Sequence, residues 1–286
     1  MSSHTKENQA KITVPSIRAA KELGEKLVCL TAYDYPTARI VDEAGIELIL
    51  VGDSAGNVVF GYENTIPVSM DEMLFAVKMA RRGVKRALLI ADMPYGSYHL
   101  NQDETVRNAL RFIKEGGAEA VKLEGGRNRL ETIKRLVNEE IPVMGHLGLT
   151  PQSVNKLGGY RLQGKTPEAA QTLIDDAKAL EDAGVFSIVL EMVPRELAKI
   201  ITESVKVSTV GIGAGADCDI QVLVLHDLLG LNFNEKQARF VRKYAALRET
   251  MTEAVQKWAN DVKTGGYPNE GESFALPKGV QMTSEK

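Results

Sequence analysis

Three stretches, IELILVGDS (46–54), RALLIADMP (86–94) and AEAVKLEGG (118–126), each carry a short apolar run that stops on an acid: Asp53, Asp92 and Glu124. A turn containing glycine, serine or proline comes just after each acid. Apolar runs that end this way, one crossover apart, predict parallel strands that deliver oxygen ligands to one mouth. Oxygen ligands without accompanying His or Cys suit a hard divalent cation such as Mg²⁺, which keeps waters that a substrate can displace.

Working outward, β-branched runs recur at 27–32, 46–52, 86–92, 118–124, 141–146, 185–191, 207–212 and 221–226. Amphipathic stretches fill most of the gaps: 37–45, 69–83, 103–117, 128–139, 167–184 and 194–204, with Ser69, Asp103 and Thr166 as expected N-caps. Eight strands alternating with helices predict a (β/α)8 barrel over a doubly wound sheet. One connection fits poorly, because only about eight residues part the seventh and eighth runs, where a parallel crossover usually needs about a dozen. Either its helix is reduced to a turn or one strand is misplaced. VPSIRAAKELGEK (14–26) reads as an extra helix that plugs the barrel, and 234–265 as one or two helices beyond it. The whole chain, 1–286, is expected to be one barrel domain with a short N-terminal extension and a loosely structured tail from about 264. Long loops at 54–68 and 147–166 follow strands on the presumed catalytic face.

Composition narrows the function. The 286 residues are 44% hydrophobic, and 38 acids against 35 bases leave a net charge of −3, with no footprint for nucleic acid or an anionic membrane. The first residues hold no apolar signal core, and no apolar run nears the ~20 residues of a membrane span. Cys29 and Cys218 sit in or beside apolar stretches without CxxC spacing, which predicts reduced core thiols and a cytoplasmic protein. GIGAGAD (211–217) does not match GxGxxG and reads as a close-packed turn. No GxxxxGK[ST], HExxH or GxSxG segment occurs.

Alternation along the fourth run puts Ala118, Ala120, Lys122 and Glu124 on one face, so a lysine and a glutamate both point into the barrel. By the same rule Ile49, Val51 and Asp53 share a face. Any single strand-end acid is more often a turn or cap residue, and an inward Lys–Glu pair can be purely structural. Three acids together shift the balance toward a cation and a chelating 2-oxo acid. Glu191 ends an otherwise apolar strand and is a candidate general base, against a capping role for the helix that follows. His146 is a second-tier candidate, a donor to substrate or loop, and His226 reads as a satisfied core histidine.

TAYDYPTA (31–38), VGDSAGNVVFGYENTIPVSMDEM (51–73), ADMPYGSY (91–98), VKLEGG (121–126), GHLGLTPQS (145–153), VLEMVP (189–194), GIGAG (211–215) and QVLVLHDLLG (221–230) resemble signature segments of the ketopantoate hydroxymethyltransferase family. Together with YPNEGESF in the tail they cover almost the whole chain. The resemblance implies a (β/α)8 barrel of the phosphoenolpyruvate/pyruvate superfamily, assembled as a cytoplasmic homo-oligomer, typically a decamer. It implies transfer of a hydroxymethyl group from 5,10-methylenetetrahydrofolate to 3-methyl-2-oxobutanoate through a Mg-stabilised enolate, giving 2-dehydropantoate for pantothenate and coenzyme A biosynthesis. Carried over by motif, Mg²⁺ falls to Asp53, Asp92 and Glu124, the keto acid to Asp53, Ser54, Asp92 and Lys122, and the proton to Glu191. A Mg-dependent lyase or mutase on another 2-oxo acid is the alternative, and it predicts a reactive cysteine in a loop after a strand. A non-catalytic barrel with a structural cation is the third reading.

Overall fold

Residues 10–233, 237–280 and 282 are described by a computed structural model. In chain order the elements are α1 (Val14–Glu22), β1 (Leu27–Thr31), α2 (Tyr35–Glu43), β2 (Leu48–Val51), the helical turn α3 (Ala55–Val58), α4 (Met70–Gly83), β3 (Leu88–Asp92) and α5 (Gln102–Leu110). Then come β4 (Ala120–Lys122), α6 (Leu130–Asn138), β5 (Val143–Gly148), α7 (Val154–Leu157), α8 (Pro167–Asp182), β6 (Ser187–Glu191), α9 (Arg195–Ser204), β7 (Ser208–Ile212), β8 (Ile220–Leu223), α10 (Leu225–Leu228) and α11 (Leu247–Thr264). The strands pair in chain order, all parallel, and β8 pairs back onto β1. This closed barrel rules out the doubly wound sheet.

Alternation sorts the strands into two apolar layers. Leu48, Leu50, Leu88, Ile90, Ala120, Met144, Val189, Val210 and Val222 fill the barrel interior. Ile49, Val51, Leu89, Ala91, Val121, Leu123 and Leu190 pack outward with the helices. The shared face of Ile49, Val51 and Asp53 is therefore corrected: the first two point outward, and the strand ends at Val51 so that the turn at Gly52 swings Asp53 into the mouth. Past a strand's last paired residue, period two no longer fixes direction.

Caps follow local chemistry. Ser69 and Glu72 form a capping box on α4, and Thr166 accepts from the Ala169 amide at α8. On α5 the cap is Asn101 rather than Asp103, and the helix continues as a π-helical segment, Arg111–Gly116.

The β7–β8 connection is a turn without a helix. Ile220 pairs with Val210, so β8 starts only two residues below the end of β7. The chain needs to descend only about 7 Å at ~3.3 Å per residue, and a short loop suffices. Gly213 and Gly215 make it with φ of 61° and 83°, where an added Cβ would meet Phe240 at 2.8 Å and Arg195 at 2.5 Å.

At the other end α1 acts as the expected plug, its Ile17 wholly buried against the interior layer. Residues 1–9, 281 and 283–286 of the expected extension and tail lie outside the described residues, and the described residues of the tail beyond α11 are exposed. Of the 234–265 segment, one helix, α11, is present among the described residues. No helix is long and apolar enough to cross a membrane, among the residues described.

Truncating Ile17 to Ala should lower stability by about 2–5 kcal/mol. Thermal or urea unfolding of the variant beside the native chain measures this, and an unchanged midpoint would mean that α1 does not seal the barrel.

Candidate active site

Seven residues singled out in the sequence, Asp53, Ser54, Asp92, Lys122, Glu124, His146 and Glu191, line one cavity of about 110 Å³ at the C-terminal mouth of the barrel. Cys29, Leu50, Met144, Val189, Val210 and Val222 form its apolar floor. The polar residues enter from β2, β3, β4, β5 and β6, so the closure of the barrel is what brings them together.

Asp92 and Lys122 are register partners on adjacent strands. The Lys122 ammonium donates to both Asp92 oxygens, at 2.7 and 2.8 Å, and lies 4.0 Å from Glu124. Burial alone would discharge this lysine, yet Asp92, Glu124 and Asp53 hold it protonated, above the usual lysine range. Asp92 also accepts the Asp53 main-chain N–H at 3.2 Å, which ties β2 to β3. Ser54 sits 2.9 Å from the Tyr33 hydroxyl.

Four buried or half-buried carboxylates face one ammonium here, and the imbalance shows in their protonation. Burial pushes Asp53 up to about 7, with Asp92 adding and Lys122 and Gln152 opposing. Burial likewise pushes Glu191 up to about 7 against the pull of Lys122, and drives Glu124 well above the usual range. His146 is driven well below its usual value, first by burial and then by Lys122, and is neutral. Its Nδ1 lies 3.5 Å from Glu124 and its Nε2 3.3 Å from Glu191, and neither contact has good hydrogen-bond geometry.

These features fit a divalent cation. Glu124 Oε1 is buried without a hydrogen-bond partner, and the uncompensated negative charge asks for a counter-charge. Among the described residues no three His, Cys, Asp or Glu side chains form a ready-made cage. Asp53, Asp92 and Glu124 border one cavity without closing on a common point, so they would draw in around an ion whose shell water and substrate complete.

Glu191 does not cap α9. Its position is set by the main chain: Gly148 is its register partner, the Leu149 N–H donates to its carbonyl at 2.8 Å, and Met192 just after it takes the left-handed φ of 45°. A Cβ on Gly148, itself at φ 90°, would lie 2.2 Å from the Glu191 carbonyl oxygen. His226 is corrected: it is half-buried at the end of the chain's circuit beside Tyr33, and its Nδ1 is buried with no partner, so it is not a satisfied core histidine.

Two residues escaped the sequence reading. Gln152 and Tyr98 are buried at the mouth and hydrogen-bond each other at 2.5 Å. Both lie in quoted segments, but each comes from an irregular loop several residues past its strand, where spacing carries no directional signal. The cysteine that a lyase or mutase reading asks for is missing as a reactive group. Cys29 and Cys218 are buried free thiols, the former pushed up to about 12 by burial and the latter also raised.

Comparison with known proteins bears on this geometry. The phosphonopyruvate hydrolase crystallised with oxalate and Mg²⁺ superposes with a TM-score of 0.57 at 15% identity, covering 91% of this chain and 93% of the other. A 2,3-dimethylmalate lyase of the PEP mutase/isocitrate lyase superfamily gives 0.56 at 15% identity, over 94% and 91%. Both show the barrel fold. In sequence, the 3-methyl-2-oxobutanoate hydroxymethyltransferase of Koribacter versatilis is 56% identical over 285 residues, all of this chain and 96% of that relative. The family model described as Ketopantoate hydroxymethyltransferase matches residues 11–270, and the chain belongs to that family.

Proposed function

We propose that the barrel mouth performs the family's hydroxymethyl transfer by removing the C3 proton of 3-methyl-2-oxobutanoate and joining C3 to a one-carbon donor. As a family member the chain is a transferase whose product is ketopantoate, a precursor on the pantothenate route. The observation that carries the chemistry is the single cavity in which Asp53, Asp92, Lys122 and Glu124 stand together with Glu191.

The C3 proton is too weakly acidic to leave near neutral pH unless the charge developing on the keto oxygen is met. Asp53, Asp92 and Glu124 would hold Mg²⁺, which when bound supplies positive charge against that oxygen. The charged Lys122 neutralises the substrate carboxylate, and the Ser54 hydroxyl, held by Tyr33, hydrogen-bonds it. Asp53 and Asp92 border the same oxygens. Glu191, poised near neutrality by burial, accepts the proton. The apolar floor excludes water and accepts the branched end of the substrate. Water cleaves both C–N bonds of the methylene group of 5,10-methylenetetrahydrofolate, its two protons passing to the nitrogens as tetrahydrofolate leaves and its oxygen staying on the one-carbon unit. C3 bonds to that formaldehyde-level carbon, and the resulting alkoxide takes the proton from Glu191 to become the hydroxyl.

The same reading takes residues 1–286 as one barrel domain of a cytoplasmic homo-oligomer, the family decamer. Two buried free thiols support a reducing compartment. Along α11, Met251, Val255, Trp258 and Val262 make an exposed apolar stripe on a helix with no buried residue, which supports contact between copies.

With Mg²⁺ present, the C3 hydrogen of 3-methyl-2-oxobutanoate should exchange in D₂O, at a rate that climbs with pH through about 7 as Glu191 loses its proton. NMR follows the signal, and its persistence at saturating metal and substrate would exclude this proton transfer. Glu191→Gln should keep substrate binding but lose about 10²–10⁴-fold in exchange, whereas Asp53→Ala should lose metal-dependent binding. Calorimetry that finds intact binding in Asp53→Ala would remove Asp53 from the metal set. Light scattering should return a multiple of the 31.2 kDa chain mass, and a monomer would refute the assembly.

A further inference from the structure

Gln152 lies where the loop after β5 turns back over the mouth, and only 4% of its surface is exposed. Its amide nitrogen donates to Asp53 Oδ2 at 2.8 Å and to the Met93 carbonyl at 3.0 Å. Its main-chain N–H donates to Glu124 Oε2 at 3.1 Å. Among the described residues, no other hydrogen-bond donor reaches either carboxylate, so one residue holds two acids that come from different strands.

The orientation of the amide is dictated by its neighbours. Asp53 and the Met93 carbonyl present acceptors, so the nitrogen must face them. The Tyr98 oxygen accepts the Glu124 main-chain N–H at 3.3 Å, which leaves its own proton to donate to the Gln152 oxygen. Hydrogen bonds therefore run one way, from Glu124 through Tyr98 to Gln152 and on to Asp53. The Arg129 guanidinium lies 5.1 Å over the Tyr98 ring and helps to fix it.

We propose that Gln152 is a positioning residue that sets the spacing and facing of Asp53 and Glu124 for a divalent cation, with Tyr98 locking its amide the right way round. The inference rests on the reading of the mouth as a cation site. A residue that merely packs the loop would need volume alone. The Gln152 side chain instead aims an N–H at Asp53, while its main-chain N–H, which any side chain would keep, holds Glu124. A side-chain donor directed onto an acid in this way is the work of a residue that orients metal ligands from behind.

The test compares the full-length native chain with Gln152→Leu, Tyr98→Phe and the double variant. Calorimetry measures Mg²⁺-dependent binding of 3-methyl-2-oxobutanoate, and C3 exchange is followed as Mg²⁺ is titrated. Gln152→Leu should raise the half-saturating Mg²⁺ concentration about 10- to 100-fold while recovering most of the exchange rate at saturation. Tyr98→Phe should shift it less in the same direction. The double variant should match Gln152→Leu, because Tyr98 acts through the amide. A lower melting temperature with unchanged Mg²⁺ dependence in Gln152→Leu would overturn the proposal. Should that variant fail to fold, an unshifted Tyr98→Phe overturns it instead. A native chain without Mg²⁺-dependent binding would sink the cation reading and this inference with it, whereas native binding with unshifted variants removes only the role of Gln152.

Discussion

The ion pair of Lys122 with Asp92 is the constraint on which the mouth depends. Both side chains are buried, and an ammonium or carboxylate left alone there would cost several kcal/mol. The pair exists only because β3 and β4 are parallel neighbours in a register that sets these two residues side by side. Around it the other acids are less well matched: Glu124 is 4.0 Å from the one ammonium, and burial raises Glu124, Asp53 and Glu191 alike. The barrel is thus a device for bringing like charges closer than water would let them come, with more acids than the single ammonium can offset.

Much of the fold was legible because burial repeats. The eight apolar runs coincide with the eight strands, and the helical periods match α2, α4, α6, α8 and α9 to within a few residues. The short seventh connection was the weak point, and its resolution lies in a quantity no single segment contains. Because β8 pairs with β7 high on the strand, the stagger of the closed sheet shortens the path. The facing of Asp53 was lost for a related reason, since it follows the last paired residue of β2.

The candidate site was legible where charge interrupts an apolar strand. Lys122 on β4 and Glu124 just past its end, Asp92 on β3 and Glu191 on β6 all stand out against their runs. Gln152 and Tyr98 did not, because an uncharged polar residue in a loop is unremarkable until the loop's path is known. His226 misled for the opposite reason: an apolar setting suggested a paired ring, and the structure leaves one nitrogen unpaired.

The main-chain grip on Glu191 has a consequence for how a base is reset. A carboxylate held by strong donors is oriented well, but those donors favour its charged form and resist protonation. Here the orientation comes from the close approach of Gly148, the Leu149 N–H on the Glu191 carbonyl and the turn at Met192, none of which touches the carboxylate. Aim and basicity are thereby separated. In the proposed role as base, the side chain takes up and releases a proton in each cycle without breaking the contacts that hold its main chain at the mouth.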